Sequence, residues 1–314
     1  MTNYYVFNGD ADGICAAQQM YLNKRQNFEP ITGVKRDLSL LKKIEKAKDS
    51  QISVFDIAVE KNLPYMAKLV EQNCHILWFD HHISHDIPKH VNIEYNIQTD
   101  VDINTSLIVA EYLNDSLSPW AIVGLFGDNM SEPAIRSAKS IGLNEAKIQG
   151  LKRMGELLNY NAYGSTIDDL HFHPADILEK MRPYDEPFAF IKNETLIDEL
   201  AEGHREDFQE IEQIEWLTPN IVRLPDEKWA RRVVGDFAYQ LVRKEPNKDF
   251  AVLLTLGESY QVGIRASATH DYNAGDFCLT FPTGGGRVKA AGINVLPRNF
   301  LDDFIRRFNN YFIK

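Results

Sequence analysis

Carboxylate and imidazole side chains occur in four short clusters within the first 128 residues. The clusters are NGDADG with Asp10 and Asp12, VFDIA with Asp56, WFDHH with Asp80, His81 and His82, and GLFGDN with Asp128. Carboxylates that meet in a fold raise each other's pKa unless cations lie between them. Mixed oxygen and imidazole ligands suit a first-row ion such as Mn²⁺, whereas zinc usually recruits more His or Cys. One carboxylate bridging two ions roughly 3.5–4 Å apart would suit in-line displacement at phosphorus.

Each cluster also has a structural interpretation when it is taken alone. Asp-Ala-Asp-Gly is typical of a turn or a helix N-cap. An isolated pair such as His81-His82 often serves packing or faces solvent. The combination of all four clusters, each following an apolar run, favours a metal site over these separate interpretations.

The elements that must position these residues alternate between strand and helix. Strand-like runs YYVFN, ITGVK, ISVFDIA and HILWFD are separated by helix-like runs ICAAQQMYLNK, LSLLKKIEKAK and LPYMAKLVEQN. This alternation predicts βαβ units and a parallel sheet covered by helices. Functional side chains gather beyond the carboxyl ends of such strands. We therefore expect Asp10, Asp56 and Asp80 to meet at one edge of the sheet.

The rest of the chain indicates a second domain. Residues 105–185 are largely helical in pattern, and residues 192–216 contain no Pro and place acids between apolar residues at helical spacing. We predict an α/β fold: a parallel-sheet domain with flanking helices plus a smaller α/β C-terminal domain, joined by a linker helix. The expected limits are 1–190, 191–216 and 217–314.

Composition excludes several classes of protein. Hydrophobic residues make up 44% and charged residues 25% of the 314 residues, as in ordinary globular proteins. No apolar run is long enough to span a membrane, and the first residues lack signal-peptide features, so we expect a cytoplasmic protein. The three Cys residues are widely spaced, which favours reduced thiols. A net charge of −11 disfavours long duplex DNA as a partner, although metal ions can invert the field in one cleft.

The motifs together resemble those of the DHH phosphoesterases, named for the triplet that stands here as Asp80-His81-His82. The family's first motif, His-x-Asp-x-Asp-Gly, is matched from Asn8 to Gly13 except at its first position. Asp56 and Asp128 are similar to its second and fourth acidic motifs. Its C-terminal element Gly-Gly-Gly-His-x-x-Ala-Ala-Gly is matched by residues 284–292 except at the His.

The resemblance implies a two-domain phosphodiesterase that uses two Mn²⁺ ions, in a group with RecJ-type exonucleases, nanoRNases and cyclic-dinucleotide phosphodiesterases. One ion would be held by Asp10, Asp56 and Asp128 or a water, and the other by Asp12, Asp56, His81 and Asp128. Asp56 would bridge the ions, Asp80 would orient the ligands, and His82 would point to the phosphate. The family includes dimers, so a homodimer is compatible with the sequence.

Two departures from the family motifs affect the expected site. Asn8 replaces a His, and its amide oxygen is a weaker ligand for a transition metal, so either the first ion binds more loosely or Asn8 contacts substrate. Arg287 replaces the second His, and it can grip a phosphate with two donors. Gly284, Gly285 and Gly286 let backbone N–H groups approach an anion. Arg265 and Ser267 resemble a family segment that contacts substrate.

The sequence thus predicts hydrolysis of short oligonucleotides or linear or cyclic dinucleotides to 5′-mononucleotides, through attack of a metal-held hydroxide. Two alternatives stay open: a monoesterase acting on a 3′-phosphorylated nucleotide, and a nucleotide-binding sensor in which Asn8 and Arg287 mark a site that has lost turnover. A pyrophosphatase is disfavoured because its C-terminal domain lacks the glycine element.

Overall fold

Apolar runs of five or six residues form most of the strands of the first sheet. The computed structural model describes residues 2–84, 87–113 and 117–313, and the chain divides into two compact units, Met1–Gly203 and His204–Lys314. The first unit holds a five-stranded sheet in which every pair is parallel, in the order β2-β1-β3-β4-β5. Its strands are β1 (Asn3–Phe7), β2 (Glu29–Ile31), β3 (Gln51–Phe55), β4 (His75–Asp80) and β5 (Ile93–Ile97).

Helices of the first unit cover this sheet and fill the sequence after β5. They are α1 (Ala11–Lys24), α2 (Leu63–Glu71), α3 (Thr105–Tyr112), α4 (Pro119–Gly127), α5 (Ser131–Ser140), α6 (Glu145–Ala162), α7 (Pro174–Met181) and α8 (Pro187–Asn193). Helix α9 (Leu196–Glu210) contains the boundary between the units. The apolar side chains of β1, β3 and β4, including Val6, Val54 and Trp78, are fully buried. Their burial fixes the carboxyl ends of the strands that carry the acids.

The second unit holds a six-stranded mixed sheet in the order β10-β11-β9-β8-β7-β6, with only β7 and β8 parallel. Its strands are β6 (Glu215–Thr218), β7 (Ile221–Leu224), β8 (Phe250–Leu256), β9 (Ser259–Arg265), β10 (Gly284–Gly286) and β11 (Ala290–Pro297). Its helices are α10 (Lys228–Lys244), α11 (Ala274–Leu279) and α12 (Leu301–Phe312). Two buried clusters form its core: one contains residues of α10, and the other contains Phe304, Phe308 and Phe312 of α12.

The predicted fold class is confirmed: a parallel α/β unit precedes a smaller α/β unit with its own core. The predicted domain limits stay a prediction. Among the described residues, no helix combines the length and the apolar character that a membrane crossing requires. All three Cys residues are buried and unpaired.

Three predictions of local structure are wrong. The linker helix expected over 191–216 is shorter, since α9 covers Leu196–Glu210 and the strand β6 begins at Glu215. The helix expected over 38–48 is only a short 3₁₀ turn, Leu40–Ile44. Asn62 accounts for the interruption, because its side chain accepts from the Leu41 N–H and donates to the Leu38 carbonyl, which a longer helix would need for itself. The strand expected over 31–35 ends at Ile31, and the Lys35 N–H donates instead to the Ala162 carbonyl at the end of α6.

Candidate metal centre

Three neighbouring strands end at the residues that the sequence singled out. Asp56 directly follows β3, Asp80 is the last residue of β4, and Asp10 lies three residues beyond β1. Since the three strands are parallel neighbours, their carboxyl ends lie at the same edge of the sheet. Asp10, Asp56 and Asp80 are all buried there.

The Asp-x-Asp-Gly stretch is both a helix start and part of the acidic cluster. Asp10 is the N-cap of α1, and its Oδ1 accepts from the backbone N–H groups of Asp12 and Gly13, each at 3.1 Å. Gly13 is required by packing, because a Cβ there would lie 2.3 Å from the Asn8 carbonyl oxygen. The motif therefore starts the helix through one oxygen of Asp10, while the second oxygen lies 2.6 Å from the Lys35 ammonium.

Asp12 is fully buried and held by the start of α3. Its Oδ1 accepts from Asn104 Nδ2 at 2.7 Å and from the Ser106 N–H at 2.8 Å, and its Oδ2 accepts from the Thr105 N–H at 2.8 Å. Burial and the charge of Asp10 raise the pKa of Asp12 to about 6, against the lowering effect of the α3 donors. The only local sign of this support in the sequence is a polar Asn-Thr-Ser run that begins a helix, so it was not predicted.

Asp56 occupies the centre of the cluster in a left-handed backbone conformation, with φ of 58°. Its Oδ1 lies 3.3 Å from Thr105 Oγ1, 3.5 Å from His81 Nε2 and 3.8 Å from His82 Nδ1. Burial, followed by the charges of Asp10, Asp12 and Asp128, raises the pKa of Asp56 well above its usual range. A non-glycine residue with positive φ is uncommon and occurs often at functional sites.

The remaining predicted ligands complete two overlapping groups. The ligand atoms of Asp12, His81 and Asp128 lie within 4.8 Å of one another, and so do those of Asp56, His81 and His82. Asp128 is the C-cap of α4, and its Oδ2 lies 3.9 Å from His81 Nε2. Burial and the charge of Asp12 raise the pKa of Asp128 to about 8.

Asp12, His81 and Asp128, three of the four residues predicted for the second ion, could hold a divalent cation, and Asp56, the fourth, lies 3.5 Å from His81 Nε2. Asp128 Oδ2 is buried and has no hydrogen-bond partner among the described residues. A buried carboxylate oxygen without a donor is costly, and a cation among three acids would remove both that cost and their mutual repulsion. Oxygen ligands with one imidazole suit Mn²⁺ or Mg²⁺ better than a structural zinc ion.

Asp80 and His82 form a pair beside this position. His82 Nδ1 lies 2.7 Å from Asp80 Oδ1, while the second oxygen of Asp80 is buried without a hydrogen-bond partner in the described part of the chain. Burial opposes protonation of His82, but the hydrogen bond and charge of Asp80 outweigh it and raise the His82 pKa. This contact holds the His82 ring through Nδ1, so Nε2 is the ring nitrogen available to contact a ligand.

The residues predicted for the first ion do not fit it. The Lys35 ammonium lies 2.6 Å from Asp10 Oδ2 and 3.7 Å from Asp128 Oδ1. Burial opposes ionisation of Asp10, but the charge and hydrogen bond of Lys35 outweigh it and lower the Asp10 pKa. Asn8 is buried and its Nδ2 donates to the Lys35 carbonyl at 3.4 Å. The role of Lys35 was not predicted, because nothing in the local sequence distinguishes it from a solvent-exposed lysine.

In the second unit, the predicted glycine element forms β10 and the turn that follows it. Gly284–Gly286 pair with Ala291–Ile293 of β11, and Gly286 has φ of 139°, where a Cβ would lie 2.4 Å from the Ala291 Cα. Apart from the adjacent residues, no described atom lies within 4 Å of a Cβ built on Gly285. Close packing therefore does not explain why position 285 is a glycine. The Arg287 N–H donates to the Ala290 carbonyl at 2.8 Å, and the Arg287 side chain is exposed.

Arg265 and Ser267 stand at and just beyond the end of β9. The Ser267 hydroxyl is buried, donates to the Pro246 carbonyl and contacts Thr269 Oγ1, while its N–H donates to Asp249 Oδ1. Arg265 Nη1 donates to the Ile264 carbonyl at 3.0 Å. These contacts anchor the loop after β9, and substrate contact by either residue stays a prediction.

Comparisons with known proteins find the same architecture in several solved structures. No protein-family model and no curated protein matches the chain by sequence. Among solved structures, an exonuclease RecJ bound to manganese is 15% identical, with a TM-score of 0.64, covering 99% of this chain and 89% of that one. RecJ from Thermus thermophilus in complex with Mn²⁺ is 13% identical, with a TM-score of 0.60, covering 99% of this chain and 52% of that one.

A pGpG-specific phosphodiesterase, PggH from Vibrio cholerae, is 15% identical, with a TM-score of 0.56, covering 99% of this chain and 98% of that one. Matches at this identity establish a shared fold. The resemblance drawn from the motifs is therefore confirmed at the level of the fold, along almost the whole chain.

Proposed function

We propose that this chain, which has the fold of the DHH phosphoesterases, is a metal-dependent phosphodiesterase that hydrolyses short oligonucleotides or dinucleotides to 5′-mononucleotides. The observation that carries the proposal is that His81 lies in two groups of possible metal ligands, one with Asp12 and Asp128 and the other with Asp56 and His82. Within each group the ligand atoms lie within 4.8 Å of one another. Acids so close, with raised pKa values, are typical of sites that bind cations and do chemistry.

The protein's own residues would orient the reaction. A divalent cation at this position would supply a hydroxide at neutral pH and Lewis acidity toward a phosphoryl oxygen. Thr105 Oγ1, 3.3 Å from Asp56, and the α3 donors on Asp12 hold two of the carboxylates in place. His82, fixed through Nδ1 by Asp80, would present Nε2 to a phosphate oxygen and offset the charge that gathers there.

Manganese is the ion we propose, because a mixed carboxylate and imidazole set suits it and two RecJ structures of this fold contain it. The family resemblance implies two ions. The geometry supports the one held by Asp12, Asp56, His81 and Asp128, whereas Lys35 contacts two of the three acids expected around the other.

Several features support a short substrate. The net charge of −11 repels a long phosphate backbone, while a small ligand can be held by a few local cations. Arg287 is exposed beside the glycine strand, and we propose that it binds a terminal phosphate through two donors. PggH acts on pGpG and RecJ is an exonuclease, so both named functions involve phosphodiester bonds in nucleotides.

A second candidate function is a nucleotide sensor without turnover. The observation that favours it is the contact of Lys35 with Asp10 and Asp128, which differs from the ligand set that the resemblance implies for catalysis. Asp12, Asp56 and Asp128, three of the acids expected of an active site, nevertheless lie in groups of possible metal ligands that share His81.

Incubation of the purified full chain with Mn²⁺, Mg²⁺ or chelator separates these functions. The substrates are a 5′-phosphorylated dinucleotide, a cyclic dinucleotide, a long single strand and a nucleotide 3′,5′-bisphosphate, with products identified by mass. We expect 5′-mononucleotides from the dinucleotide with Mn²⁺ and none with chelator. Release of phosphate from the bisphosphate alone would indicate the monoesterase. Absence of cleavage with a raised melting temperature would indicate the sensor.

A further inference from the structure

The Lys35 side chain occupies the position expected of a cation. Its ammonium lies 2.6 Å from Asp10 Oδ2 and 3.7 Å from Asp128 Oδ1, and a quarter of the side chain is exposed. Asp10 and Asp128 are two of the three acids that the family resemblance assigns to the first metal ion. The Lys35 ammonium therefore already contacts two of the acids that were expected to hold that ion.

Contacts from the end of α6 hold Lys35 in this place. Its backbone N–H donates to the Ala162 carbonyl at 2.9 Å, its Nζ donates to Asn159 Oδ1 at 2.8 Å, and the ammonium lies 5.7 Å from the centroid of the Tyr163 ring. Two groups besides the acids therefore contact the side chain and a third holds the backbone, which is the environment of a positioned residue and not of a mobile surface lysine.

Asn8 makes the same position poorer for a metal. In the family motif this residue is an imidazole ligand, whereas here an amide stands in its place and Nδ2 donates to the Lys35 carbonyl at 3.4 Å. A divalent ion on Asp10 Oδ2 would lack a strong nitrogen ligand and would be repelled by the adjacent ammonium. Asn8 and Lys35 act together: the first lacks the imidazole ligand, and the second supplies a competing positive charge.

We propose that this chain binds a single divalent cation, at Asp12, Asp56, His81 and Asp128, and that the Lys35 ammonium takes the place of the second. This inference deepens the proposed function. It rests on that function only in taking the bound ion to be catalytic. Lys35 then neutralises Asp10 and Asp128 permanently, and it presents a fixed positive charge beside the cation where a phosphate oxygen would bind.

Counting bound ions tests this directly. Metal-free full chain is dialysed against increasing Mn²⁺, bound metal is measured by elemental analysis, and electron paramagnetic resonance distinguishes an isolated Mn²⁺ from a magnetically coupled pair. We expect one isolated ion per wild-type chain. The double variant Asn8→His with Lys35→Met, which restores the imidazole and removes the ammonium, is expected to bind two coupled ions.

The matched control is Lys68→Met, which removes an exposed lysine whose Nζ pairs with Glu45 at 2.8 Å, and it should bind one ion like the wild type. If the double variant fails to fold, Lys35→Gln gives the second comparison, with a weaker second ion expected. Two coupled ions in the wild type, or none, would overturn the inference. Hydrolysis is scored separately: one ion without cleavage supports the inference and contradicts the proposed function, whereas two ions with cleavage do the reverse.

Discussion

Asp56 is the residue on which the acidic cluster centres, because its Oδ1 lies within 4 Å of a threonine hydroxyl and two imidazoles. We predict that Asp56→Asn, which keeps the shape and removes the charge, lowers Mn²⁺-dependent hydrolysis of a 5′-phosphorylated dinucleotide by more than about 100-fold. Loss of the second-sphere partners of metal ligands alone costs 10–100-fold, and a ligand should cost at least as much. Steady-state kinetics and bound-metal analysis provide the measurement.

Asp198→Asn is the matched control for this change, since Asp198 is an exposed acid that pairs with Arg153 at 2.9 Å on the surface. It should leave hydrolysis and metal content unchanged. Equal activity of Asp56→Asn and wild type would contradict the central role of this carboxylate.

Arg287 belongs to the second unit. It directly follows the glycine strand β10, and its side chain is exposed. We predict that Arg287→Ala raises KM for a 5′-phosphorylated dinucleotide about tenfold or more, because a hydrogen-bonded charge pair with phosphate contributes about 1.5–3 kcal/mol. Bound metal should not change. Arg306→Ala, which removes an exposed arginine paired with Asp303 on α12, provides the control. Unchanged KM in Arg287→Ala would show that this arginine does not bind substrate.

The start of α3 is an element with two functions, since Asn104 caps the helix and also orients Asp12. Asn104 Oδ1 accepts from the Leu107 N–H at 3.1 Å, and Nδ2 donates to Asp12 Oδ1 at 2.7 Å. We predict that Asn104→Ala lowers the free energy of unfolding by about 1–2 kcal/mol through the lost cap and weakens Mn²⁺ binding by about 10–100-fold through the lost orientation. Denaturant unfolding and metal titration measure the two effects.

Asn144→Ala separates the two effects, because Asn144 caps α6 in the same way but is exposed and has only the Lys147 N–H, at 3.0 Å, as its side-chain contact among the described residues. It should cost about 1 kcal/mol of stability and leave metal affinity unchanged. If both variants lose stability equally and neither loses affinity, the start of α3 acts only as a helix cap.

The local pattern of apolar residues predicted most of the helices and strands. It failed where the secondary structure depends on residues that are distant in the sequence. The alternation of apolar runs was sufficient for β1, β3, β4 and the helices between 105 and 185, because periodicity follows from burial. It missed β5, whose residues are only partly buried. The turn at Leu40–Ile44 depends on Asn62, a residue about twenty positions away that takes the helix hydrogen bonds.

In the candidate site, too, the residues in local motifs could be predicted and the contacts between distant residues could not. The acids and His81 could be predicted because each follows a strand or belongs to a motif with its own spacing. The supporting contacts of Asn104 with Asp12 and of Asn159 with Lys35 join residues 92 and 124 positions apart. Such pairs leave no periodic signal, and in one sequence an isolated Asn or Lys has no feature that distinguishes it from a surface residue.

At the scale of the whole molecule, the concentration of negative charge inside the first unit makes its stability depend on pH in the absence of metal. Burial raises the pKa of Asp12 to about 6 and that of Asp128 to about 8, and it raises that of Asp56 as well. A carboxyl with a raised pKa in the folded state holds a proton that the unfolded chain has released. The folded state therefore loses stability as pH rises from about 4 toward about 8.

We predict that the melting temperature of the metal-free chain falls by at least about 3 °C between about pH 6 and about pH 8, and that saturating Mn²⁺ reverses the trend. The cation binds only the ionised carboxylates, so its stabilising effect grows as protons leave. Asp128→Asn should flatten the metal-free slope, because the side chain with the pKa of about 8 no longer ionises. The exposed variant Asp198→Asn should keep the slope. A metal-free melting temperature that rises over this range would mean that the acids are ionised and paired without metal, and it would remove the electrostatic reason for placing a cation among them.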